Sequence, residues 1–409
     1  MSANAATGFW CGIWNDKPLL RICNFFLFNP APLLCLTRTH VPAAYRNHPR
    51  LSRFVFACVM AYSLPCLGQP PQELPALNLE IAETSVSGIS SGAFMAVQFQ
   101  VAHSSIVKGV GVVAGGPYFC SQGSAIAATT RCSCTLDSAH LACSVSATSA
   151  DVPALEDATR RFAADHVIDS PSHLADQRVY IFAGGKDPVV PAVAAPQLAQ
   201  YYSRFGVPAQ NIATTLWNSA GHTMPTLAYG RGCSVTDSPY IGKCGFDGAK
   251  AILSWIHGPL KAPRQGALTG RFVEFDQTPY VRNADFLWLT GMDATGWVYI
   301  PAACAQGASC RLHIALHGCE QGQSYLPLKS PPGGGLYYGT TFVRHAGYAA
   351  SADTNRFVVL FPQAVSIPGL NPNGCWDWWG YTDENFANRN GVQIAALRAM
   401  VDRITSGRH

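Results

Sequence analysis

Charge is scarce in this 409-residue chain: 13% of its residues are Asp, Glu, Lys or Arg, and the formal net charge is +4. The basic residues form no cluster, which excludes nucleic-acid binding of the usual electrostatic kind. No apolar run reaches the roughly 18 residues of a membrane-spanning helix. Cysteines at zinc-ligand spacing are also missing. Cys132-Ser133-Cys134 has one intervening residue, and no His pair at ligand spacing lies nearby, whereas zinc sites use about two to four intervening residues. There is no internal repeat. No Ser/Thr/Gly-rich linker with a further module follows residue 380, so no further C-terminal domain is expected.

What the chain has in quantity is glycine (37), proline (28) and cysteine (15). Five cysteines precede residue 67 and ten follow it. An even set in the body suits disulfides formed in an oxidising compartment, with a metal site as the alternative. Cys233 with Cys244 and Cys304 with Cys310 are natural local pairs. Cys120, Cys132, Cys134 and Cys143 allow three connectivities, and sequence does not choose among them.

Residues 1–50 have no helix or strand period and read as a non-native or disordered extension, from a start codon assigned too early. Arg46, Arg50 and Arg53 then precede the apolar run Phe54 to Leu64. That is a basic stretch followed by a short apolar core, the form of an export signal over 51–68. The mature chain is expected to be secreted or periplasmic, without a membrane anchor, and a monomer. Residues 69–409 are expected to form a single domain.

After Pro75, strand-like and helix-like stretches alternate. Strands are expected at Leu77–Val86, Lys108–Ala114, Arg178–Ala183, Ile212–Trp217, Arg271–Phe275, Trp297–Ile300, Leu312–Leu316 and Phe357–Phe361. Helices are expected at Ala93–Val101, Asp151–Asp165, Pro196–Tyr202, Ala249–Ile256, Phe342–Asp353 and Val392–Ile404. This rhythm predicts an α/β fold: a mainly parallel sheet with helices on both faces.

The stretch Gly88-Ile89-Ser90-Ser91-Gly92 has the form G-x-S-x-G between a strand and a helix. That is the context of a nucleophile elbow, a sharp turn that lifts a serine hydroxyl out of the sheet. Ser90 is the candidate nucleophile. A bare five-residue match also arises in ordinary Gly/Ser turns, so its partners matter. Asp187 follows the strand Arg178–Ala183, and His222 follows Ile212–Trp217. Both stand just past strand C-terminal ends, where open α/β sheets carry their active-site groups. The order Ser90, Asp187, His222 is that of an α/β-hydrolase triad. The backbone N–H of Ser91 is one expected oxyanion donor. A strand ending in His317-Gly318-Cys319 has the form of an esterase oxyanion loop, but it lies 229 residues after Ser90 instead of before it. A circular permutation accounts for that order: the nucleophile strand comes first, and the Cys319 N–H supplies the second donor. Three tryptophans (Trp376, Trp378 and Trp379) stand in a Gly/Asn-rich loop and suggest a binding wall at the site's mouth. A Cys319–Cys375 bond would hold that wall against the oxyanion loop.

Together these motifs resemble the catalytic domain of poly(3-hydroxybutyrate) depolymerases of the circularly permuted type, over about residues 77–405. They are G-I-S-S-G, the Gly-Gly-Lys-Asp strand end, Ala-Gly-His, Leu-His-Gly-Cys-x-Gln and Gly-Cys-Trp-Asp-Trp-Trp. The resemblance implies Ser90 as nucleophile, Asp187 as orienting acid, His222 as general base and Cys319 as a backbone oxyanion donor. It implies that Trp376 packs on a bound oligoester, that amorphous polymer or oligomers are the substrate, and that no metal or cofactor is needed. Rival readings are a feruloyl or acetyl-xylan esterase of the same fold, and a secreted binding protein with an inactive site.

Overall fold

The structure, a computed structural model, describes residues 71–407 except Asn283 and Ser330. The N-terminal extension and the export signal expected over 1–68 lie outside the described residues. The chain forms eleven named strands: β1 (Thr84–Ile89), β2 (Val107–Val113), β3 (Arg178–Gly184), β4 (Ile212–Trp217), β5 (Met224–Thr226), β6 (Arg231–Gly232), β7 (Ile241–Lys243), β8 (Arg271–Asp276), β9 (Thr295–Ile300), β10 (Arg311–Leu316) and β11 (Phe357–Phe361). Eight of them make one sheet in the order β4-β3-β2-β1-β10-β11-β9-β8. Pairing is parallel from β4 through β11, and β9 runs antiparallel to both of its neighbours.

The central strands are buried on both faces because both faces are covered. Side chains alternate across the pleat. Val179 and Ile181 enter one core together with the helices Ser91–Ala102, Val152–Ala164, Ala194–Arg204 and Val392–Ile404. Tyr180 and Phe182 enter a second core with the helices Gly248–His257 and Tyr348–Asn355. The helix Ser91–Ala102 has no polar side, and every one of its residues is buried.

The permutation has a direct structural counterpart. β10, late in the chain, pairs in parallel with β1, with Ser85 opposite His313 and Gly88 opposite Leu316. The two strand ends that carry the elbow and the His-Gly loop are therefore neighbours. The fold is that of a circularly permuted α/β-hydrolase.

Two element boundaries differ from expectation. The elbow strand begins at Thr84, not Leu77, because Ile81–Glu83 form a 3-10 turn and the pairing of Leu79 with Cys310 is an isolated bridge outside the strand. The helix expected over Phe342–Asp353 is two helices, Thr341–His345 and Tyr348–Asn355, separated at Gly347, where φ is +95°. All ten cysteines of the body are in disulfides: Cys120–Cys132, Cys134–Cys143, Cys233–Cys244, Cys304–Cys310 and Cys319–Cys375. None of these thiols remains free to ligate a metal. Among the described residues, no helix is long and apolar enough to cross a membrane.

Candidate active site

Ser90 sits at the tip of the turn between β1 and the helix Ser91–Ala102, with φ +57° and ψ −124°. A non-glycine residue in this region is strained and persists only where its surroundings hold it. Two close approaches hold it. A Cβ on Gly88 would lie 2.3 Å from the Gly92 carbonyl, and one on Gly92 would lie 2.2 Å from the His317 carbonyl oxygen. Glycine at both positions is therefore a packing requirement. The Ser90 hydroxyl has no hydrogen-bond partner among the described residues and opens into a cleft of about 350 Å³.

His222 lines the same cleft. Its Nδ1 lies 2.8 Å from Asp187 Oδ2, and both side chains are almost wholly buried. Asp187 Oδ1 accepts hydrogen bonds from the Val189 and Val190 amides at 2.8 and 2.9 Å. The carboxylate is thus fixed by three hydrogen bonds, which set its orientation toward the imidazole. An imidazole whose Nδ1–H is donated to a carboxylate presents a lone pair at Nε2. The loops carrying the pair are joined by backbone bonds, Lys186 N–H to Ala220 O at 2.8 Å and Gly185 N–H to Trp217 O at 2.9 Å. The His222 amide donates to Thr236 Oγ1 at 2.8 Å. The small sheet β5-β7-β6 and the Cys233–Cys244 bond fix the segment that follows.

Ser91 and Cys319 both border the cleft, and neither backbone N–H has an acceptor among the described residues. Gly318 lies directly over the elbow, since a Cβ there would be 3.2 Å from Ser90 Cβ. The loop is held by side chains whose roles were not apparent from their positions in the chain. Ala364 N–H donates to His317 Nε2 at 3.0 Å. The His317 proton must then be on Nδ1, which donates to the Gly318 carbonyl at 2.7 Å. Burial lowers the His317 pKa to about 4, so this tautomer is neutral through the physiological range. Gln321 accepts from Gly318 N–H at 2.7 Å and donates to the Pro239 carbonyl at 2.9 Å. The signal for His317 was its place at a strand end before a glycine; for Gln321 it was only a polar residue two positions after Cys319.

The tryptophans divide. Trp378 and Trp379 line the cleft, with Trp378 stacked on Phe94 at 4.0 Å between centroids. Trp376 does not, which corrects the expectation that it packs on a bound oligoester. It is 0% exposed. Its indole Nε1–H donates to the His317 carbonyl at 3.0 Å, and its backbone N–H reaches Ser91 Oγ at 3.3 Å. Trp376 is therefore a buried support that joins the elbow to the His-Gly loop. The adjacent Asp377 carboxylate accepts from the Gly380, Tyr381 and Thr382 amides, which sets the turn that presents Trp378 and Trp379. The segment closed by the Cys120–Cys132 bond also lines the cleft, through Ala125, Ala128 and Thr129.

No family model matches the chain. It is 41% identical over 340 residues to a poly(3-hydroxybutyrate) depolymerase of Delftia acidovorans, covering 82% of this chain and 62% of the relative. It is 36% identical over 352 residues to a polyhydroxybutyrate depolymerase of Talaromyces funiculosus, covering 82% of this chain and 93% of that one. The crystal structure of a PHB depolymerase from Penicillium funiculosum superposes with a TM-score of 0.70 at 33% identity, over 83% of this chain and all of the other. A PHB depolymerase serine-to-alanine variant in complex with an R3HB trimer superposes with a TM-score of 0.69 at 32% identity, again over 83% and 100%.

Proposed function

The chain belongs to the poly(3-hydroxybutyrate) depolymerase family, and on that premise we propose that it hydrolyses the ester bonds of poly(3-hydroxybutyrate) or its oligomers through an acyl-enzyme on Ser90. The observation that carries this reading is the convergence in one cleft of the Ser90 hydroxyl, the His222–Asp187 pair and two unengaged amides. A structural neighbour in complex with an R3HB trimer supports the substrate class.

His222 Nε2 takes the Ser90 proton as Oγ bonds to the ester carbonyl carbon. Asp187 orients the imidazole and stabilises the imidazolium. The Ser91 and Cys319 amides receive the oxyanion; one such donor is worth about 3 kcal/mol in comparable sites. The carbonyl–oxygen bond to the leaving chain breaks, and His222 protonates the departing alkoxide. Water then adds to the acyl carbon with His222 as base, the bond to Ser90 Oγ breaks, and the hydroxyacyl product leaves as an acid. Trp378 and Trp379 give the chain an apolar wall. Five disulfides favour work outside a reducing cytosol, in a secreted or periplasmic location.

The test compares release of 3-hydroxybutyrate from amorphous polymer and oligomers with release of ferulate from xylan. The wild type should act on the polyester, and Ser90→Ala should lose activity by several orders of magnitude while melting at the wild-type temperature. Ferulate release without polyester hydrolysis would move the chain to the carbohydrate esterases.

A further inference from the structure

We propose that Glu320 is a specificity-determining residue that steers the cleft toward uncharged ester and away from free carboxylate ends, a reading that rests on the ester hydrolysis proposed above. The side chains bordering the cleft are apolar, hydroxyl or amide, apart from His222 and one carboxylate, Glu320. No Lys or Arg borders the cleft, and Glu320 forms no ion pair among the described residues. It immediately follows Cys319, with φ +63°, and its amide donates to the Asn373 carbonyl at 2.7 Å. Oε2 accepts from the Tyr240 hydroxyl at 3.1 Å. The Tyr240 ring stands edge-on to His222 with centroids 6.3 Å apart. The carboxylate is thus anchored on the cleft by a neutral donor that leaves its charge uncompensated.

A single charge in a concave site with apolar walls is focused into the cleft. The interior of a polyester chain is neutral and does not feel it. A chain end bearing a carboxylate does, and so does the product. Hydrolysis adds water to the acyl carbon, breaks the bond to Ser90 Oγ and yields an acid that loses its proton to solvent near neutral pH. The reaction therefore creates a negative charge in a cleft that already holds one, and repulsion favours departure of the product. Like charges a few ångströms beyond contact in a partly wet cleft alter binding by about three- to tenfold.

The experiment measures kcat/KM for the (R)-3-hydroxybutyrate trimer as free acid and as methyl ester, at pH 7.5, in low and in high salt. It uses the wild type and Glu320→Gln, since glutamine can still accept from Tyr240 but has no charge. The wild type should prefer the methyl ester, salt should erode that preference, and Glu320→Gln should reduce the ester-to-acid ratio by about three- to tenfold. An ester-to-acid ratio that is the same in both proteins and indifferent to salt overturns the proposal. Should the variant fail to fold, the salt series on the wild type decides alone: a salt-independent ratio refutes the role. Hydrolysis of neither trimer by the wild type would sink the parent reading together with this one, whereas hydrolysis of both at a fixed ratio sinks only this one.

Discussion

A trans peptide points its carbonyl and its following N–H in opposite directions. At Gly318–Cys319 the carbonyl is held by His317 Nδ1–H, so the Cys319 N–H is turned to the other side of the peptide. His317 is in turn fixed by Ala364 N–H on its other nitrogen and by Trp376 on its carbonyl. The imidazole is a positioning residue for the proposed oxyanion donor. The amide of an asparagine at 317 can stand where Nδ1–H stands and keep hold of Gly318. The amide of a glutamine reaches the Nε2 position and can keep only Ala364. Since the donor acts on charge that develops in the transition state, the loss should appear in kcat rather than KM. His317→Gln should lower kcat by about 10–100-fold, and His317→Asn by clearly less, within the cost of one lost oxyanion donor. Steady-state kinetics with a short p-nitrophenyl ester, paired with melting curves, measures this. Equal falls in both variants, with KM rising in parallel, would mean a merely structural histidine.

At the scale of elements, what could be read in advance was whatever has a local physical signature. The elbow was legible because two close approaches demand glycine at 88 and 92. The positions of Asp187 and His222 were legible because apolar runs mark the strands before them. The permutation was legible from the order of the motifs alone, and the β1–β10 pairing is its physical form. Other features have no local signature. The strands β5, β6 and β7 are two or three residues long and read as loop. The pairing of Cys120 with Cys132 and Cys134 with Cys143 depends on how an irregular loop segment folds, which no local pattern marks. The three tryptophans look alike in sequence, yet a buried acceptor on His317 draws Trp376 inward while Trp378 and Trp379 face the cleft. The break at Gly347 falls inside a run that reads as one helix, and an isolated glycine in such a run does not by itself mark a break.

The whole molecule carries a load of buried neutral imidazoles. His103, His257, His313 and His317 all have pKa values lowered mainly by burial, His313 to about 3 and His317 to about 4. In the unfolded chain each returns to about 6.5 and takes up a proton that the folded state refuses. Their stabilising contribution is complete above that value and is lost as pH falls from about 6.5 toward the folded values. Buried Asp247, Asp293 and Asp377, raised by burial, pull the other way. The melting temperature should therefore fall between pH 7.5 and 5.5; a flat or rising trend would contradict this balance. The central claim concerns the same molecule in its working state: a serine hydrolase whose nucleophile strand comes first in a permuted sheet. Labelling with a fluorophosphonate, followed by peptide mapping, tests it most directly. One adduct is expected, on the peptide carrying Ser90, suppressed by prior incubation with a 3-hydroxybutyrate oligomer and absent in Ser90→Ala. An unlabelled protein, or an adduct on another serine that persists in that variant, would contradict it.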